Sequence, residues 1–349
     1  MKAYQLRAED LAKLILRAAA EREVWAPVRR NDLTLFERIT DPAQIDWEAD
    51  NVRVPLRGLF LPVQEALFTF RKEGAEVTLA APQDEPTLAG RLIIGARLCD
   101  AAALEYLDRA FGDPLADAPY RRRRERDLIV AVTCEKERPY CFCEVASEVL
   151  SRPRGADWLL TRVEDRLLVE VLSEKGERLA QSFSDLLSEA DSQLLEAARA
   201  IRVAIAGRIS NNARFSPEGL PARLMAAWDS PVWQSESERC LGCGICTFLC
   251  PSCQCFDICD RAGILGGERY RCYDTCQFAS FTKMASGENP RPTQSERLRN
   301  RVLHKFAYSN ERFGATACVG CGRCVYLCPV GIDIREVVEM ATKEAVPVE

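Results

Sequence analysis

The feature that most constrains this chain is a run of cysteines that occurs twice. The copies are Cys240-Leu-Gly-Cys243-Gly-Ile-Cys246-Thr-Phe-Leu-Cys250-Pro251 and Cys318-Val-Gly-Cys321-Gly-Arg-Cys324-Val-Tyr-Leu-Cys328-Pro329. Both have the spacing C-x2-C-x2-C-x3-C-P, in which thiolates bind [4Fe–4S] clusters. The glycines between the cysteines can adopt positive φ and bring backbone amides close to cluster sulfur. The repeated run therefore predicts two [4Fe–4S] clusters in the second half of the chain.

The spacing also predicts which cysteine binds which cluster. In two-cluster proteins with this run, the cysteine before the proline binds the cluster of the other run. We therefore assign cluster A to Cys240, Cys243, Cys246 and Cys328, and cluster B to Cys318, Cys321, Cys324 and Cys250. Zinc and disulfides are the alternatives, but structural zinc sites use separated C-x2-C pairs or add histidine. His304 is the only histidine of the chain, which also disfavours haem-histidine and histidine acid–base chemistry.

Composition and charge narrow the class of protein further. The chain has 349 residues, of which 47% are hydrophobic and 28% charged, and its net charge is −5. This length suggests two domains, and the acidic balance gives no support for nucleic-acid binding. No apolar run reaches the ~20 residues of a membrane-spanning helix, and the N-terminus turns acidic at Glu9 and Asp10, where a secretory signal would be apolar. We therefore expect a cytoplasmic protein that binds neither membranes nor nucleic acid and whose 17 cysteines hold metal.

The hydrophobic pattern predicts an α+β chain with an N-terminal α/β domain and a C-terminal α-helical ferredoxin domain. Helical spacing covers residues 9–20, 101–111 and 186–209, and strand-like pieces cover 33–39, 67–70 and 77–80. Two apolar strands end at Cys99 and at Cys134, and residues 157–172 are typical of a hairpin. We place the N-terminal domain at residues 1–210, a linker at 211–230 and the ferredoxin domain at 231–349.

The residues between the two cysteine runs are too numerous for a compact bacterial ferredoxin. Residues 277–285 and 295–308 have a helical pattern, and no short strands are expected there. Residues 334–345 are predicted to form a closing helix with Asp333 as its N-cap. This content favours helices packed around the two clusters.

Four further cysteines in the N-terminal half, Cys99, Cys134, Cys141 and Cys143, match a full set of cluster ligands. Two of them follow apolar strands, and open α/β sheets bind ligands at the carboxyl ends of their strands. Asp100 adjoins one of them as a candidate oxygen ligand or hydrogen-bond acceptor. The alternative is four buried, reduced cysteines, since free cysteine is often buried. From the residues alone, a third cluster, here called cluster C, and this alternative stay open.

The five remaining cysteines lie between the two runs: Cys253, Cys255, Cys259, Cys272 and Cys276. Their spacing imitates that of the cluster next to a siroheme, but the gap between the halves is short. No surrounding domain has the size that a siroheme needs. Packing is therefore the favoured role of these cysteines, and a fourth cofactor is not expected.

Two groups of arginines carry weaker signals. The run from Arg121 to Arg126 is favoured as a solvated helix face, and a docking patch for an acidic partner is the alternative. Arg323 stands where the first run has Ile245, and its positive charge predicts a higher reduction potential for cluster B. No G-x-G-x-x-G after a strand and no P-loop occurs, so no nucleotide-binding signature is present.

With the cysteines placed, the chain resembles two related families of iron–sulfur proteins. They are the beta subunits of soluble sulfhydrogenase-type [NiFe]-hydrogenases and the electron-transfer subunits of anaerobic sulfite reductases. The motifs that carry the resemblance, besides the second cysteine run, are Ala96-Arg-Leu-Cys99-Asp100, the arginine-rich approach to Leu128-Ile-Val-Ala-Val-Thr-Cys134, Tyr140-Cys-Phe-Cys143, Cys250-Pro-Ser-Cys253-Gln-Cys255, Asp274-Thr-Cys276-Gln277 and Asn300-Arg-Val-Leu-His-Lys305. The chain departs from the family pattern at Cys259 and Cys272, which are extra, and at Tyr273, where the family has tryptophan.

The resemblance implies an electron-transfer protein without catalytic residues of its own. Its partners would be a flavin subunit that reacts with NAD(P)H and a catalytic subunit, either a [NiFe]-hydrogenase or a siroheme sulfite reductase. The arginine-rich approach to Cys134 favours the hydrogenase branch. The resemblance also implies that Cys99, Cys134, Cys141 and Cys143 bind cluster C.

Three classes of function are compatible with the cysteine runs: an electron relay, an oxidoreductase whose own cluster or siroheme reduces a substrate, and a protein whose clusters only hold the fold. The sequence carries no flavin, nickel or nucleotide motif, which disfavours the second class. Two cross-ligated clusters favour a relay over a purely structural role. The relay is therefore our prediction.

Overall fold

The computed structural model describes residues 2–49, 52–81, 90–112 and 114–344. Its strands are β1 (Ala3–Arg7), β2 (Val24–Arg30), β3 (Leu33–Ile39), β4 (Gln64–Glu73), β5 (Glu76–Ala80), β6 (Leu92–Arg97), β7 (Leu128–Val132), β8 (Trp158–Val163), β9 (Arg166–Val171), β10 (Ser188–Glu189), β11 (Phe256–Ala262) and β12 (Gly266–Tyr273). Helices and strands alternate in the first half, as the sequence predicts.

The helices complete the architecture on both sides of the sheet and throughout the second half. They are α1 (Leu11–Glu21), α2 (Leu98–Ala110), α3 (Ala118–Arg126), α4 (Cys143–Ser147), α5 (Glu174–Ser182), α6 (Ser192–Ser210), α7 (Leu220–Ala226), α8 (Val232–Glu238), α9 (Ile245–Phe248), α10 (Gln294–Leu303), α11 (Ser309–Phe313), α12 (Arg323–Tyr326) and α13 (Ile334–Glu344). A π-helical turn, His304–Tyr308, joins α10 to α11. In the described part of the chain, no helix is both long and apolar enough to cross a bilayer.

The N-terminal half is built on an eight-stranded mixed sheet. Its strand order is β10-β1-β9-β8-β7-β6-β2-β3, and β2, β6, β7 and β8 run parallel to their neighbours in this set. Strand β6 is buried along its whole length, because α2 covers one face and apolar side chains of α1 and α5 contribute to the core of the other. The carboxyl ends of β6 and β7 lie side by side, so the cysteines that follow them meet at one edge of the sheet.

Local capping accounts for where several helices start. Helix α6 begins later than the pattern predicts, because the Asp191 side chain accepts a hydrogen bond from the Leu194 amide at 2.7 Å. The predicted hairpin is present as β8 and β9, with Glu164 in the left-handed conformation at its turn. The predicted closing helix is α13, and position 345 lies outside the described residues.

A second, four-stranded sheet joins the two halves of the chain. Its order is β11-β12-β4-β5, so a hairpin from between the cysteine runs pairs with a hairpin from the N-terminal half. The expectation of helices without strands between the runs is therefore wrong for β11 and β12. Residues 277–285 hold only a short 3-10 turn, Ala279–Thr282. Strands β4 and β5 precede residue 210 and β11 and β12 follow it, so this sheet crosses the predicted domain boundary.

The helices of the second half pack around the cysteine runs. Leu220 and Leu224 of α7 are buried with Val302 of α10 and Val337 of α13 in one apolar core. The predicted linker at 211–230 thus includes a packed helix. The arginine run also differs from its prediction as a solvated face, because Arg123 is buried and contacts Glu65 and the carbonyl of Phe60.

Candidate iron–sulfur centres

The first cysteine run and the last cysteine of the second run share one cavity. The four predicted ligands of cluster A, which are Cys240, Cys243, Cys246 and Cys328, all line this cavity. Cys324 also reaches this cavity, and Leu298, Val302 and Val337 supply apolar walls. The apolar walls limit the access of water on their side of the cavity, while Cys243 is exposed to solvent.

Backbone geometry in the first run directs amides at these thiols. Gly242 and Gly244 have φ of +64° and +73°, and Gly244 precedes α9, which carries Cys246. The Cys240 sulfur accepts hydrogen bonds from the Gly242 amide and from the Gln294 side chain, each at 3.4 Å. The Cys328 sulfur accepts one from the Ile332 amide at 3.2 Å. Such bonds stabilise thiolate sulfur and tune the potential of a bound cluster.

The predicted ligands of cluster B also lie within electrostatic reach of one another. Cys318 and Cys321 are buried, and Cys250 and Cys324 lie close to both. The pKa of Cys321 is raised to about 11, chiefly by burial, with Arg323 opposing the rise and the neighbouring thiols of Cys250 and Cys324 contributing to it. Thiols held protonated by burial give up their protons when a metal binds, so a cluster would convert this group to thiolates.

The four cysteines of the N-terminal half are likewise brought together. Cys99 lies in the first turn of α2 after β6, Cys134 follows β7, Cys141 lies in a loop and Cys143 begins α4. All four line a second cavity, whose wall also includes Cys321. Burial raises the pKa of Cys141 to about 12, with Cys134 and Cys321 adding to the rise. The donors, the enclosed space and the place at the strand ends fit a [4Fe–4S] cluster.

The N-terminal cysteine loop is packed directly on the second run. The Phe142 amide donates a hydrogen bond to the Gly320 carbonyl at 2.9 Å. A Cβ on Gly320, whose φ is +60°, would lie 2.5 Å from the backbone of Cys143, so only glycine fits this contact. Phe142 is fully buried, as expected of a residue that covers a cluster against water. The cavity of cluster C and the ligands of cluster B are therefore neighbours.

The three most buried cations without a carboxylate partner among the described residues lie around the second half. They are Arg57, Arg301 and Lys305, each at most 5% exposed. Lys305 donates to the Ser252 hydroxyl at 3.0 Å and the Ala317 carbonyl at 3.4 Å. Arg301 donates to the Cys246 carbonyl at 3.0 Å, and its Nε has no partner. Burying an unpaired cation costs several kcal/mol, so this arrangement fits a resident anion such as a thiolate-ligated cluster.

The thiols are the groups that these cations face. Burial lowers the pKa of Lys305, but Cys250 and Cys253 more than offset it, so the pKa is raised overall. For Arg301 the same balance holds, with Cys246 and Cys324 as the nearest compensating groups. The sequence reasoning did not find Lys305 or Arg301 as part of the site. Both residues belong to a motif that carries the family resemblance, Asn300-Arg-Val-Leu-His-Lys305. This motif could have indicated their role, since a helix placed beside the cysteine runs would carry both cations.

Arg323 and Asp100 form a buried ion pair between the centres. The two carboxylate oxygens of Asp100 accept hydrogen bonds from the Arg323 guanidinium at 3.0 and 2.8 Å. Asp100 is 1% exposed and Arg323 is 2% exposed. This pairing occupies the carboxylate and does not favour Asp100 as an iron ligand, which stays a prediction. It also offsets the charge of Arg323, on which the higher potential of cluster B was predicted.

The five middle cysteines divide into two kinds. Cys253 is buried next to Cys250, and Cys276 is buried next to Cys255. Cys259 and Cys272 instead lie on the β11–β12 hairpin. The hairpin brings Cys259 and Cys272 together, whereas Cys253 and Cys276 are buried beside other cysteines, so the siroheme-like spacing does not correspond to one contiguous site.

Comparison with known proteins first gives the class of domain. Residues 239–332 match the family described as 4Fe-4S dicluster domain, and this segment includes both cysteine runs. The chain is therefore an iron–sulfur protein of the [4Fe–4S] kind.

Comparison of the whole chain then gives a particular relative. The chain is 29% identical over 341 residues to the sulfhydrogenase 2 subunit beta of Pyrococcus furiosus, with 97% of this chain and 98% of the relative covered. The resemblance predicted from the cysteine motifs is thereby confirmed.

Proposed function

We propose that this protein is the electron-relay subunit of a multi-subunit redox complex of the sulfhydrogenase kind. It would hold three [4Fe–4S] clusters and pass electrons between a flavin subunit that reacts with NAD(P)H and a [NiFe]-hydrogenase subunit. The similarity to a sulfhydrogenase beta subunit over nearly the whole chain supports the kind of complex. A siroheme sulfite reductase is the alternative catalytic partner.

The observation that carries the relay is that cysteines of cluster B border both other centres. Cys321, a predicted ligand of cluster B, lines the cavity of cluster C, and Cys324 lines the cavity of cluster A. This sharing supports a row of three thiol groups in the order A, B, C. Bound [4Fe–4S] clusters supply one-electron exchange, so such a row would be a path through the protein.

The residues around the row have distinct tasks in this proposal. The cysteines hold the clusters, and the Gly242, Gln294 and Ile332 N–H groups stabilise thiolate sulfur. Lys305 and Arg301 compensate negative charge, and Phe142 excludes water from the N-terminal centre. The only histidine, His304, has its pKa lowered to about 4, chiefly by burial, and so would stay neutral. Proton transfer is no part of the proposed task.

The test removes the middle centre of the row, cluster B, from the protein in its assembled complex. Cys318→Ala should remove cluster B and abolish hydrogen oxidation coupled to NAD(P)+, since electrons could no longer cross the protein. Hydrogen oxidation measured with an artificial dye at the catalytic subunit should be retained. Cys259→Ala, which changes a cysteine outside the three groups, is the control and should retain both activities. Coupled activity that survives the loss of cluster B would overturn the relay.

The partner can be tested separately from the relay. Genes for two further subunits, one that binds flavin and one that holds the [NiFe] centre, are expected next to this gene. A neighbouring gene for a siroheme protein would instead identify the sulfite reductase branch, with the relay unchanged.

A further inference from the structure

Cys259 and Cys272 form a pair outside all three predicted centres. They lie on adjacent antiparallel strands, where Cys259 is opposite Tyr270 and Cys272 is opposite Asp257. In this register the two cysteines are diagonal neighbours on one face of the hairpin, because side chains two residues apart on a strand share a face. Their sulfur atoms are 3.9 Å apart, and both side chains are partly exposed. Neither cysteine lines the cavity of cluster A or cluster C.

The separation is suited to forming a covalent bond. A disulfide bond is about 2 Å long, so the two sulfur atoms must approach each other by about 2 Å in all. Diagonal positions are wider apart than directly opposite ones, so closure combines side-chain rotation with a small movement of the two strands. The intervening loop is short, since the two positions are 13 apart in sequence, and the hairpin already holds its ends together. Each of the other paired sets has one buried thiol, Cys253 beside Cys250 and Cys276 beside Cys255, whereas neither Cys259 nor Cys272 is buried.

We propose that Cys259 and Cys272 are a reversible dithiol–disulfide site that reacts with small-molecule disulfides. One cysteine thiolate attacks the small disulfide, forms a mixed disulfide and releases one small thiol. The second cysteine thiolate then attacks the mixed disulfide, forms the Cys259–Cys272 bond and releases the second small thiol. The two cysteines are oxidised by two electrons, the small disulfide is reduced by two electrons, and the two cysteine protons leave with the small thiols.

The Cys259–Cys272 pair lies in the four-stranded sheet that joins the two halves of the chain. Strand β12, which carries Cys272, pairs with β11 on one side and with β4 of the N-terminal half on the other. Cys272 itself is opposite Gln64 of β4. Oxidation would therefore fasten β11 to β12, the strand that pairs with the N-terminal half, without consuming a predicted cluster ligand.

The test uses the full, cluster-loaded chain kept free of oxygen. The protein is treated with oxidised glutathione, and the remaining thiols are alkylated. The protein is then digested, and the masses of the peptides are measured by mass spectrometry. The wild type should lose two hydrogens in a cross-link between the Cys259 and Cys272 peptides, keep its iron, and recover both thiols after reduction. Cys259→Ser should instead keep one glutathione on Cys272, and Cys272→Ser should keep one on Cys259, because neither variant can resolve the mixed disulfide.

A second measurement follows the exposed tip of the hairpin, where Ile264 and Leu265 are 92% and 78% exposed. Proteolysis at this tip should slow on oxidation of the wild type and stay unchanged in both serine variants. The proposal would be overturned if both thiols of the wild type stay open to alkylation, or if the wild type retains a glutathione adduct. Iron loss accompanied by cross-links among predicted ligands would equally overturn it, since oxidation would then act on the cluster thiols.

Discussion

A single buried ammonium, that of Lys305, links the charge of the site to its redox properties. Lys305→Met should lower the reduction potential of cluster B by roughly tens of millivolts, because a nearby positive charge favours the more negative, reduced state of the cluster. The measurement is a redox titration followed by electron paramagnetic resonance. Lys343→Met, which removes an exposed cation paired with Glu339, is the control and should leave the potential unchanged.

In the iron-free chain, the same substitution should not lower the free energy of unfolding. Because Lys305 has no carboxylate partner among the described residues, its removal relieves an uncompensated buried charge when no cluster is present. Chemical denaturation of the iron-free chain should show no loss of stability in Lys305→Met. A marked destabilisation would contradict the assignment of Lys305 as a counter-charge for a cluster.

The Arg323–Asp100 pair predicts shifts of opposite sign. Asp100→Asn leaves an uncompensated cation between Cys99 and Cys321 and should raise the potentials of clusters B and C. Arg323→Met leaves an uncompensated carboxylate and should lower both. The double variant should return close to the wild-type potentials. Redox titration of the three variants checks this, and shifts of the same sign in both single variants would contradict it.

The two cysteine runs, as elements, predict a crossed pattern of damage. Cys250→Ala should perturb the cluster held by Cys318, Cys321 and Cys324 and largely spare cluster A, since the cysteine before the proline binds the distant cluster. Electron paramagnetic resonance of the reduced protein distinguishes the two signals. Loss of cluster A with cluster B intact would show that each run binds its own cluster.

The contact between the second run and the N-terminal loop can be tested with matched glycines. Gly320→Ala places a Cβ 2.5 Å from the Cys143 backbone and should displace the loop that carries Cys141 and Cys143, with loss of iron from cluster C. Gly314→Ala is the control, because Gly314 has a similar φ of +63° with nothing within 4 Å of the added Cβ. Both variants carry a similar backbone strain of about 1 kcal/mol. Equal iron loss in the two variants would contradict a specific contact.

How far the sequence predicts these elements depends on where their partners lie. Strands β6 and β7 could be predicted because they are buried, β-branched runs that end at cysteines. The β11–β12 hairpin could not, because it pairs with β4, about 200 residues earlier, and local spacing does not reveal a partner so distant in sequence. The cavity shared by Cys321 and the N-terminal cysteines was likewise invisible, since motif spacing does not describe contacts between motifs.

The whole molecule should contain three clusters. Anaerobically prepared protein should hold about twelve irons per chain, since each [4Fe–4S] cluster has four. Cys134→Ala should hold about eight, and Cys259→Ala should keep the wild-type value. A wild type with about eight irons and four freely alkylated N-terminal thiols would show that cluster C does not form.

The purified chain should also be inactive by itself. It should be brown, contain iron and sulfide, and be reduced by a low-potential donor, because the clusters accept electrons. It should neither oxidise hydrogen nor reduce sulfite, because the sequence carries no signature of a nickel, flavin or siroheme site. Turnover of either substrate by the purified chain would contradict a purely relaying role.

The sheet shared by both halves has a consequence for the synthesis of the chain on the ribosome. Glu65 of β4 and Arg271 of β12 are 206 positions apart, so β4 leaves the ribosome roughly 10 to 40 s before its partner strand at 5–20 residues per second. During that interval β4 offers an open edge to other nascent chains. Its charged end, Arg71, Lys72 and Glu73, would discourage such pairing until the later hairpin arrives. This sheet therefore cannot be completed until β12 has left the ribosome.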